Sequence, residues 1–186
     1  MAEFVPFDDK VEVSGYILSF RICEKGRFKV AEDTLKNIVK KFLNIDKIEQ
    51  EKWYPQKKWL EALKFIHENI GPNTIFILGK SITTNEIFPE EIQNLEQALN
   101  SIDIAYHQNH RNGEIGYYKL VDFDYSHNVA LFECKNPYPD EFDKGILTGV
   151  LRKFLPENSL EHSVEIDTTK PYRRQGADST FYIIKW

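Results

Sequence analysis

Two histidines three positions apart, His107 and His110, are the residues with the most obvious capacity for chemistry. A neutral imidazole nitrogen is a common ligand of zinc and an axial ligand of haem iron. Asp103 and Glu114 could contribute a further ligand through space. Both histidines could instead cap the end of a helix and face solvent, and we favour that interpretation because no third ligand stands beside them.

The other reactive side chains do not form a recognisable catalytic set. Cys134 ends a predicted central strand, where a thiol becomes a nucleophile only if a base lies beside it. We favour a small buried hydrophobe at this position. His162 alternates with Leu160 and Val164, which predicts a place at the edge of the core. The sequence has no phosphate loop, zinc-protease helix or serine elbow, and it therefore favours a non-enzymatic role.

Aromatic residues make up 13% of the chain, which indicates either a rich core or an aromatic-lined pocket. The basic residues Lys170, Arg173 and Arg174 could hold an anion, but we expect them to lie in a solvated loop. The candidates for lining a pocket are Trp53, Trp59, Tyr106, Tyr117, Tyr118, Phe132 and Tyr138.

Length and charge limit the architecture and the partners. A chain of 186 residues is expected to form one domain over 1–186, with a loose arm at 1–10. The net charge of −5 argues against nucleic-acid binding. No apolar run is long enough to span a bilayer, and the N-terminus lacks the basic and apolar regions of a signal peptide. We therefore expect a cytoplasmic protein that does not insert into membranes.

The region 113–186 has the pattern of strand–strand–helix–strand–strand. Residues 115–123 and 128–134 predict an antiparallel hairpin, and a helix is predicted between Pro139 and Pro156. Strands over 160–167 and 181–186 are predicted to pair, with Tyr182, Ile184 and Trp186 facing the core. The sheet half is thus predicted to be a four-stranded antiparallel sheet.

The region 11–112 is predicted to be mainly helical, which makes the whole chain an α+β protein. Apolar residues at helical spacing predict helices over 31–43, from Trp53 to Ile70, and from Pro89 to Tyr106. Periodicity does not decide between helix and strand for 16–24 and 74–82. In the later helix, Gly145 and Gly149 are four residues apart, which predicts a close approach to another part of the backbone.

The order of these elements resembles the vinyl-reductase-type small-molecule-binding domains, which include the sensory domains of phenol-responsive bacterial activators. That family shares a broad architecture with haem NO-binding domains and TRAPP-complex subunits. The resemblance is clearest over Ile115–Trp186, in the Asn136-Pro137-Tyr138-Pro139 segment and the run Gly176-Ala177-Asp178-Ser179. It extends to Ser14-Gly15, to Trp53-Tyr54-Pro55, and to the segment Tyr106–His110.

Many members of this family hold a structural zinc ion with cysteines before the helix and around the last loop. The corresponding positions are Asp140, Tyr172 and Thr180, and none of them is a thiolate. Zinc prefers sulfur and nitrogen ligands with some carboxylate, and only Asp140 could serve. We therefore expect no metal, and a loop that is held by packing of Tyr172 and by Gly176.

The resemblance implies a non-enzymatic sensory domain for a small apolar or aromatic molecule. We expect no cofactor, a separate signalling protein as partner, and a homodimer as one form of assembly. Two alternatives are a haem-dependent gas sensor that uses His107 or His110, and an enzyme that acts on a tetrapyrrole-like substrate.

Overall fold

The N-terminal half consists of helices that accompany a small three-stranded sheet. The structure, a computed structural model, describes residues 3–22, 29–85, 87–157, 159 and 161–186. The helices of this half are α1 (Gly15–Leu18), α2 (Lys29–Leu43), α3 (Gln56–Asn69), α4 (Pro72–Asn85) and α5 (Leu95–Gln108). Its strands are β1 (Glu12–Ser14), β2 (Trp53–Pro55) and β3 (His110–Arg111), in the order β2-β1-β3.

The C-terminal half is a four-stranded antiparallel sheet with one long helix. Its elements are β4 (Tyr117–Asp124), β5 (Val129–Lys135), α6 (Asp140–Lys153), β6 (Ser163–Ile166) and β7 (Thr180–Lys185). The strand order is β4-β5-β7-β6, so β7 joins the first hairpin to β6. This arrangement confirms the predicted α+β fold, including the strand–strand–helix–strand–strand order.

The last strand faces the core as its alternation predicts. Tyr182 and Ile184 are fully buried, and Trp186 stacks on the ring of Phe123 with centroids 4.7 Å apart. Val164 of β6 lies opposite Ile184, which confirms the pairing of the two strands. The interpretation of His162 was wrong: this residue precedes β6 and is exposed, because regular pairing begins only at Ser163.

The starts of two helices differ from the prediction. The helix expected from Pro89 begins at Leu95, because the Asn94 side chain accepts the amide of Gln97 and the Gln97 side chain accepts the amide of Gln93. This reciprocal capping fixes the first turn. The helix expected from Trp53 begins at Gln56, because the three preceding residues pair with β1 as a strand.

The two segments that periodicity left open both contain helix in the described part of the chain, although residues 19–22 of the first lie outside any helix. The first contains α1, a single turn whose N-cap Ser14 accepts the amide of Tyr16. Residues 23–24 of that segment, like the start of the predicted strand at 160, lie outside the described residues. The second segment belongs to α4, whose buried residues Ile75 and Leu78 join the core.

Glycines bring α4 and α6 into direct backbone contact. A Cβ atom on Gly145 would collide with the carbonyl oxygen of Phe76, and one on Gly79 would collide with that of Phe142. The predicted close approach is therefore present, and its partner is a helix. Gly149 lies against Thr83 and the carbonyl of Lys80 in the same interface.

The first described residues contact the C-terminal half. The amide of Phe4 donates to the carbonyl of Pro137, and Glu3 accepts a hydrogen bond from the amide of Asp140. Burial raises the pKa of Glu3, and the nearby carboxylate of Asp140 adds to the increase, while Arg174 opposes it. Among the described helices, none is both long and apolar enough to cross a bilayer.

Candidate ligand-binding site

A cavity of about 350 Å³ lies between α4, α5, α6 and the segment that connects α4 to α5. Apolar side chains form most of its wall, among them Ile82, Ile102, Phe142, Ile146 and Val150. Of the described residues that line it, none is Asp, Glu, Lys or Arg. Its volume falls in the range of sites for small molecules, and its wall has the mixture that such sites use: mainly apolar, with a few polar groups.

Four residues with polar groups lie together on the buried side of the cavity. Tyr106 is in the last turn of α5, His110 follows at the start of β3, Tyr118 is on β4, and Tyr138 precedes α6. All four residues are buried, whereas Ile87 at the rim is 89% exposed. Their rings are in mutual contact, with the centroids of Tyr106 and His110 4.4 Å apart and those of Tyr106 and Tyr118 5.0 Å apart.

His110 is a neutral imidazole with both nitrogens engaged. Its Nδ1 lies 2.8 Å from the carbonyl oxygen of Tyr106, so Nδ1 must carry the proton. Nε2 is then an acceptor, and the hydroxyl of Tyr138 donates to it over 2.7 Å. Burial lowers the pKa of His110 to about 4, against a weaker opposing effect of the bond to Tyr106.

The hydroxyls of Tyr106 and Tyr118 also have internal acceptors. Tyr106 donates to the carbonyl of Ile115 over 2.5 Å, and Tyr118 donates to Oδ1 of Asp143 over 2.5 Å. Burial raises the pKa of each of these phenols well above its usual value. The phenols that line the cavity are therefore neutral.

Two further polar side chains lie behind this wall. Gln56 and Trp59 are fully buried on α3, and neither the amide atoms of Gln56 nor Nε1 of Trp59 has a partner of normal geometry among the described residues. Gln56 lies close enough to the phenols of Tyr106 and Tyr138 to oppose the rise in their pKa values.

An ion cluster centred on Arg173 lies on the other side of Tyr118. Arg173 is 3% exposed, and its Nη2 lies 2.6 Å from Asp140 Oδ1 and 2.6 Å from Asp143 Oδ2. Nη1 donates to the backbone and side-chain oxygens of Asn136, each over 2.8 Å. Thr180 Oγ1 donates to Asp140 over 2.7 Å and accepts from the backbone amide of Arg173. The cluster joins α6, β7 and the segment that connects β6 to β7.

Asp143 acts as an ionised acceptor in this cluster. Tyr118, Asn136 and Arg173 all donate to its carboxylate, and the guanidinium of Arg173 favours the ionised form. Burial raises the pKa of Asp143, and the guanidinium of Arg173 opposes that increase. Cys134, also fully buried nearby, has a pKa raised by burial and then by Asp143, as expected for an unreactive thiol.

The cluster occupies the place where the family resemblance implied zinc. Asp140 and Thr180 are brought together, but the group between them is the guanidinium of Arg173. A divalent cation does not fit beside a fixed positive charge, and the described residues contain no group of three metal-binding side chains. The solvated loop expected for Arg173 was wrong, because acids far away in the sequence surround it. Tyr172 is half-buried beside the cluster.

The structure divides the predicted pocket residues into two groups. Tyr106, Tyr118, Tyr138 and His110 line the cavity, and Trp59 lies behind it. The remaining candidates lie elsewhere: Trp53 packs under the guanidinium of Arg111, Phe132 is buried in the sheet, Tyr117 is half-buried on β4, and His107 is on the exposed face of α5.

Sequence reasoning missed the apolar wall and Arg173. Ile102 and Tyr106 are four residues apart on α5, and Ile146 and Val150 are four apart on α6. Helical spacing therefore marked both faces as apolar, but it could not show that they face one another across a cavity. Nothing in the sequence around Arg173 distinguishes it from Arg174.

The chain has the fold of H-NOX domains. A mutant H-NOX domain from Shewanella oneidensis, in the Fe(II)CO ligation state, matches with a TM-score of 0.61 at 12% identity over 92% of this chain and 97% of that one. An H-NOX from Shewanella woodyi bound to IWP-051 gives 0.54 at 14% identity, over 92% and 93%. A structure from a study of haem distortion in the H-NOX family gives 0.61 at 14% identity, over 93% and 94%. No family model and no curated protein sequence matches the chain.

The residues of this cavity do not fit haem as they stand. An axial ligand needs an imidazole nitrogen with a free lone pair. Among the described residues that line the cavity, His110 is the one with an imidazole ring. The lone pair of its Nε2 already accepts a hydrogen bond from the hydroxyl of Tyr138. The side chain of His107 is 51% exposed, and its Nδ1 lies 3.0 Å from the carbonyl of Asp103.

The buried neutral state of His110 predicts a loss of stability in acid. Its pKa falls from 6.5 to about 4 on folding, so the unfolded chain binds more protons between these values. The contribution of the neutral His110 to the free energy of unfolding is complete above pH 6.5. It is lost as the pH falls towards 4, and the total loss is about 3 kcal/mol. Denaturant unfolding at several pH values should show this loss in the wild type. His110→Asn, which keeps a donor for the carbonyl of Tyr106, should lack this component. Equal pH dependence in both proteins would contradict the prediction.

Proposed function

We propose that this chain is a non-enzymatic sensory domain that binds a small, neutral, apolar or aromatic molecule and signals to a separate protein partner. The observation that carries the proposal is the cavity between α4, α5 and α6, with its apolar wall and buried polar side. Burying a charged molecule there would have no opposite charge to offset its desolvation. The fold shared with H-NOX domains and the resemblance to vinyl-reductase-type sensory domains support the same class of function.

The state of the buried ionisable groups favours binding over catalysis. The phenols have pKa values raised by burial, the imidazole of His110 has a lowered pKa, and the thiol of Cys134 has a raised one. Each group is therefore held in its neutral form, whereas acid–base catalysis needs a group poised to gain or lose a proton near the working pH.

The binding of indole, compared with that of indole-3-acetate, tests the proposal. Both molecules contain the same two-ring system, but the second carries a carboxylate. We expect indole to raise the melting temperature of the protein in a concentration-dependent way and indole-3-acetate to leave it unchanged. Binding of the anion alone, or of neither molecule, would count against a neutral-ligand cavity.

A pair of substitutions then places the binding site. Ile146→Phe adds a ring to the wall of the cavity, whereas Ile77→Phe adds one to an exposed part of α4. The first substitution should abolish the thermal shift with indole, and the second should leave it intact. If both variants respond as the wild type does, the ligand binds elsewhere.

The alternative of a haem-dependent gas sensor has one observation in its favour, which is that His110 lines the cavity. Because Tyr138 occupies its Nε2, we expect the wild type to show no Soret absorbance after incubation with haemin. Tyr138→Phe removes that hydroxyl. A Soret band of a six- or five-coordinate histidine complex in the wild type would favour the alternative.

A signal requires that the ligand bind one conformation of the domain better than another. The described structure is one conformation, and the partner or a second copy of the chain would respond to the other. Hydrogen exchange with and without indole measures this difference directly, because segments whose opening changes on binding alter their exchange rates.

A further inference from the structure

The cavity is elongated along α6. Its lining residues on that helix are Phe142, Ile146 and Val150, which follow one another at intervals of four on one face. With a rise of about 1.5 Å per residue, this apolar face is about 12 Å long. On another wall, α5 contributes lining residues over a similar length, from Ser101 to Gln108. The cavity therefore has the shape of a channel between helices.

The two ends of this channel differ in exposure. At one end Phe142 stacks on Tyr138, with ring centroids 5.0 Å apart, and both side chains are buried. At the other end, the segment that connects α4 to α5 crosses the C-terminal end of α6, where the ring of Phe88 packs edge-on against that of Phe154 at 4.9 Å. Ile87, which precedes Phe88, lines the cavity and is 89% exposed. The channel therefore runs from the core to solvent.

The mouth of the channel is apolar. Ile104 on α5 is a second lining residue that is mostly exposed, and Pro89 and Ile92 line the cavity from the connecting segment. A single exposed isoleucine is ordinary on a protein surface. Exposed isoleucines that also line an apolar cavity extend its wall to the surface, so a long ligand stays in contact with apolar side chains as far as the mouth.

We infer that the cavity receives a linear alkyl chain of about ten carbons, whose uncharged polar end stays at the mouth. This inference rests on the proposed ligand-binding function and narrows its ligand to a chain-shaped molecule. A channel of about 12 Å matches an extended chain of about nine or ten carbons, given carbon–carbon bonds of about 1.5 Å.

The volume and the charge of the cavity support the same ligand. An apolar cavity of about 150 Å³ already holds a benzene ring. A volume of about 350 Å³ therefore leaves more than half of this cavity empty around a ligand of that size. None of the described lining residues is charged, so the wall offers no partner to an ionic group.

A series of 1-alkanols tests the length of the channel. From hexanol through octanol to decanol, we expect the affinity to rise about fourfold for each added CH₂ group. Dodecanol should gain little over decanol, because its last carbons lie outside the channel. Isothermal titration calorimetry on the full chain gives the dissociation constants. An affinity that stops rising before octanol, or that rises undiminished to dodecanol, would overturn the inference.

Menthol provides a matched ligand of compact shape. It has ten carbons and one hydroxyl, as 1-decanol has, but its carbons form a branched ring. We expect decanol to bind about tenfold more tightly or better. Equal or tighter binding of menthol, or binding of indole without binding of any alkanol, would overturn the inference while leaving the cavity as a ligand site. Absence of binding by the alkanols, menthol and indole would overturn the proposed function as well.

A pair of substitutions tests whether the chain reaches the mouth. Ile87 and Ile77 are both exposed isoleucines, but Ile77 does not line the cavity. Ile87→Asp should weaken the binding of decanol about tenfold, because the outer carbons lose an apolar contact and meet a charge. Ile77→Asp should leave the affinity unchanged. Equal affinities of the two variants for decanol would overturn the inference.

Discussion

Methionine in place of Arg173 is expected to lower the free energy of unfolding by about 3–5 kcal/mol. Methionine in place of the adjacent Arg174 is expected to change it by about 1 kcal/mol or less. The two residues are neighbours of the same type, but the side chain of Arg174 is 38% exposed, and its partners Glu3 and Glu141 keep 10% and 21% of their side chains in contact with solvent, whereas Asp140 and Asp143 keep 1% or less. Chemical denaturation of both variants gives the comparison.

The large effect at Arg173 comes from the acids that it would leave behind. Asp140 and Asp143 are both buried, and their separation from water is offset by the guanidinium between them. Without it, two carboxylates remain buried, and each must be ionised without a charged partner or take up a proton.

A rescue variant separates this cause from a simple loss of packing. Asp140→Asn and Asp143→Asn remove the stranded charges, so the triple variant with Arg173→Met should recover a substantial part of the lost stability. A triple variant no more stable than Arg173→Met alone would show that the loss comes from packing. Loss of similar size at Arg174 would show that the cluster is not the cause.

Alanine in place of Gly145 is expected to lower stability by about 1–3 kcal/mol, although alanine is the better helix former. The added methyl group would collide with the backbone of Phe76 on α4, which cannot move without moving the helix. Gly149→Ala meets the hydroxyl of Thr83 as its nearest neighbour, so a second change can relieve part of the collision.

A double-mutant cycle uses this difference. Thr83→Ala should reduce the loss caused by Gly149→Ala, and it should leave the loss caused by Gly145→Ala unchanged. Thermal or denaturant unfolding of the single and double variants provides the free energies. An unchanged melting temperature for Gly145→Ala would mean that α4 and α6 have room to separate.

The sheet half was predictable because its signals are local. The successive apolar residues at 130–132, the alternation along 181–186 and the prolines at both ends of α6 are contained within single elements. The start of α5 was misplaced because Pro89 followed by acidic residues is itself a helix-start pattern, and only the bonds between Asn94 and Gln97 show where the helix begins.

The sequence identified several residues of the candidate site individually, but not how they are arranged. His107 and His110 are equivalent in sequence terms, and the fold decides that one is exposed on α5 and the other is buried at the end of it. Arg173 lies 33 residues from Asp140 along the chain, so no local rule could pair them. Cavities and ion clusters of this kind depend on how helices and strands pack against one another, and the pattern of a single sequence does not give that packing directly.

Tyr118 belongs to the cavity and to the ion cluster at once. Its ring forms part of the cavity wall, while its hydroxyl is bonded to Asp143 at 2.5 Å. A rigid ring cannot move without carrying its oxygen, so a shift of the wall alters the hydrogen bonding of the carboxylate. A ligand that binds better when the Tyr118 ring is in its present position therefore stabilises the ion cluster. By thermodynamic reciprocity, the intact cluster stabilises the bound ligand by the same free energy.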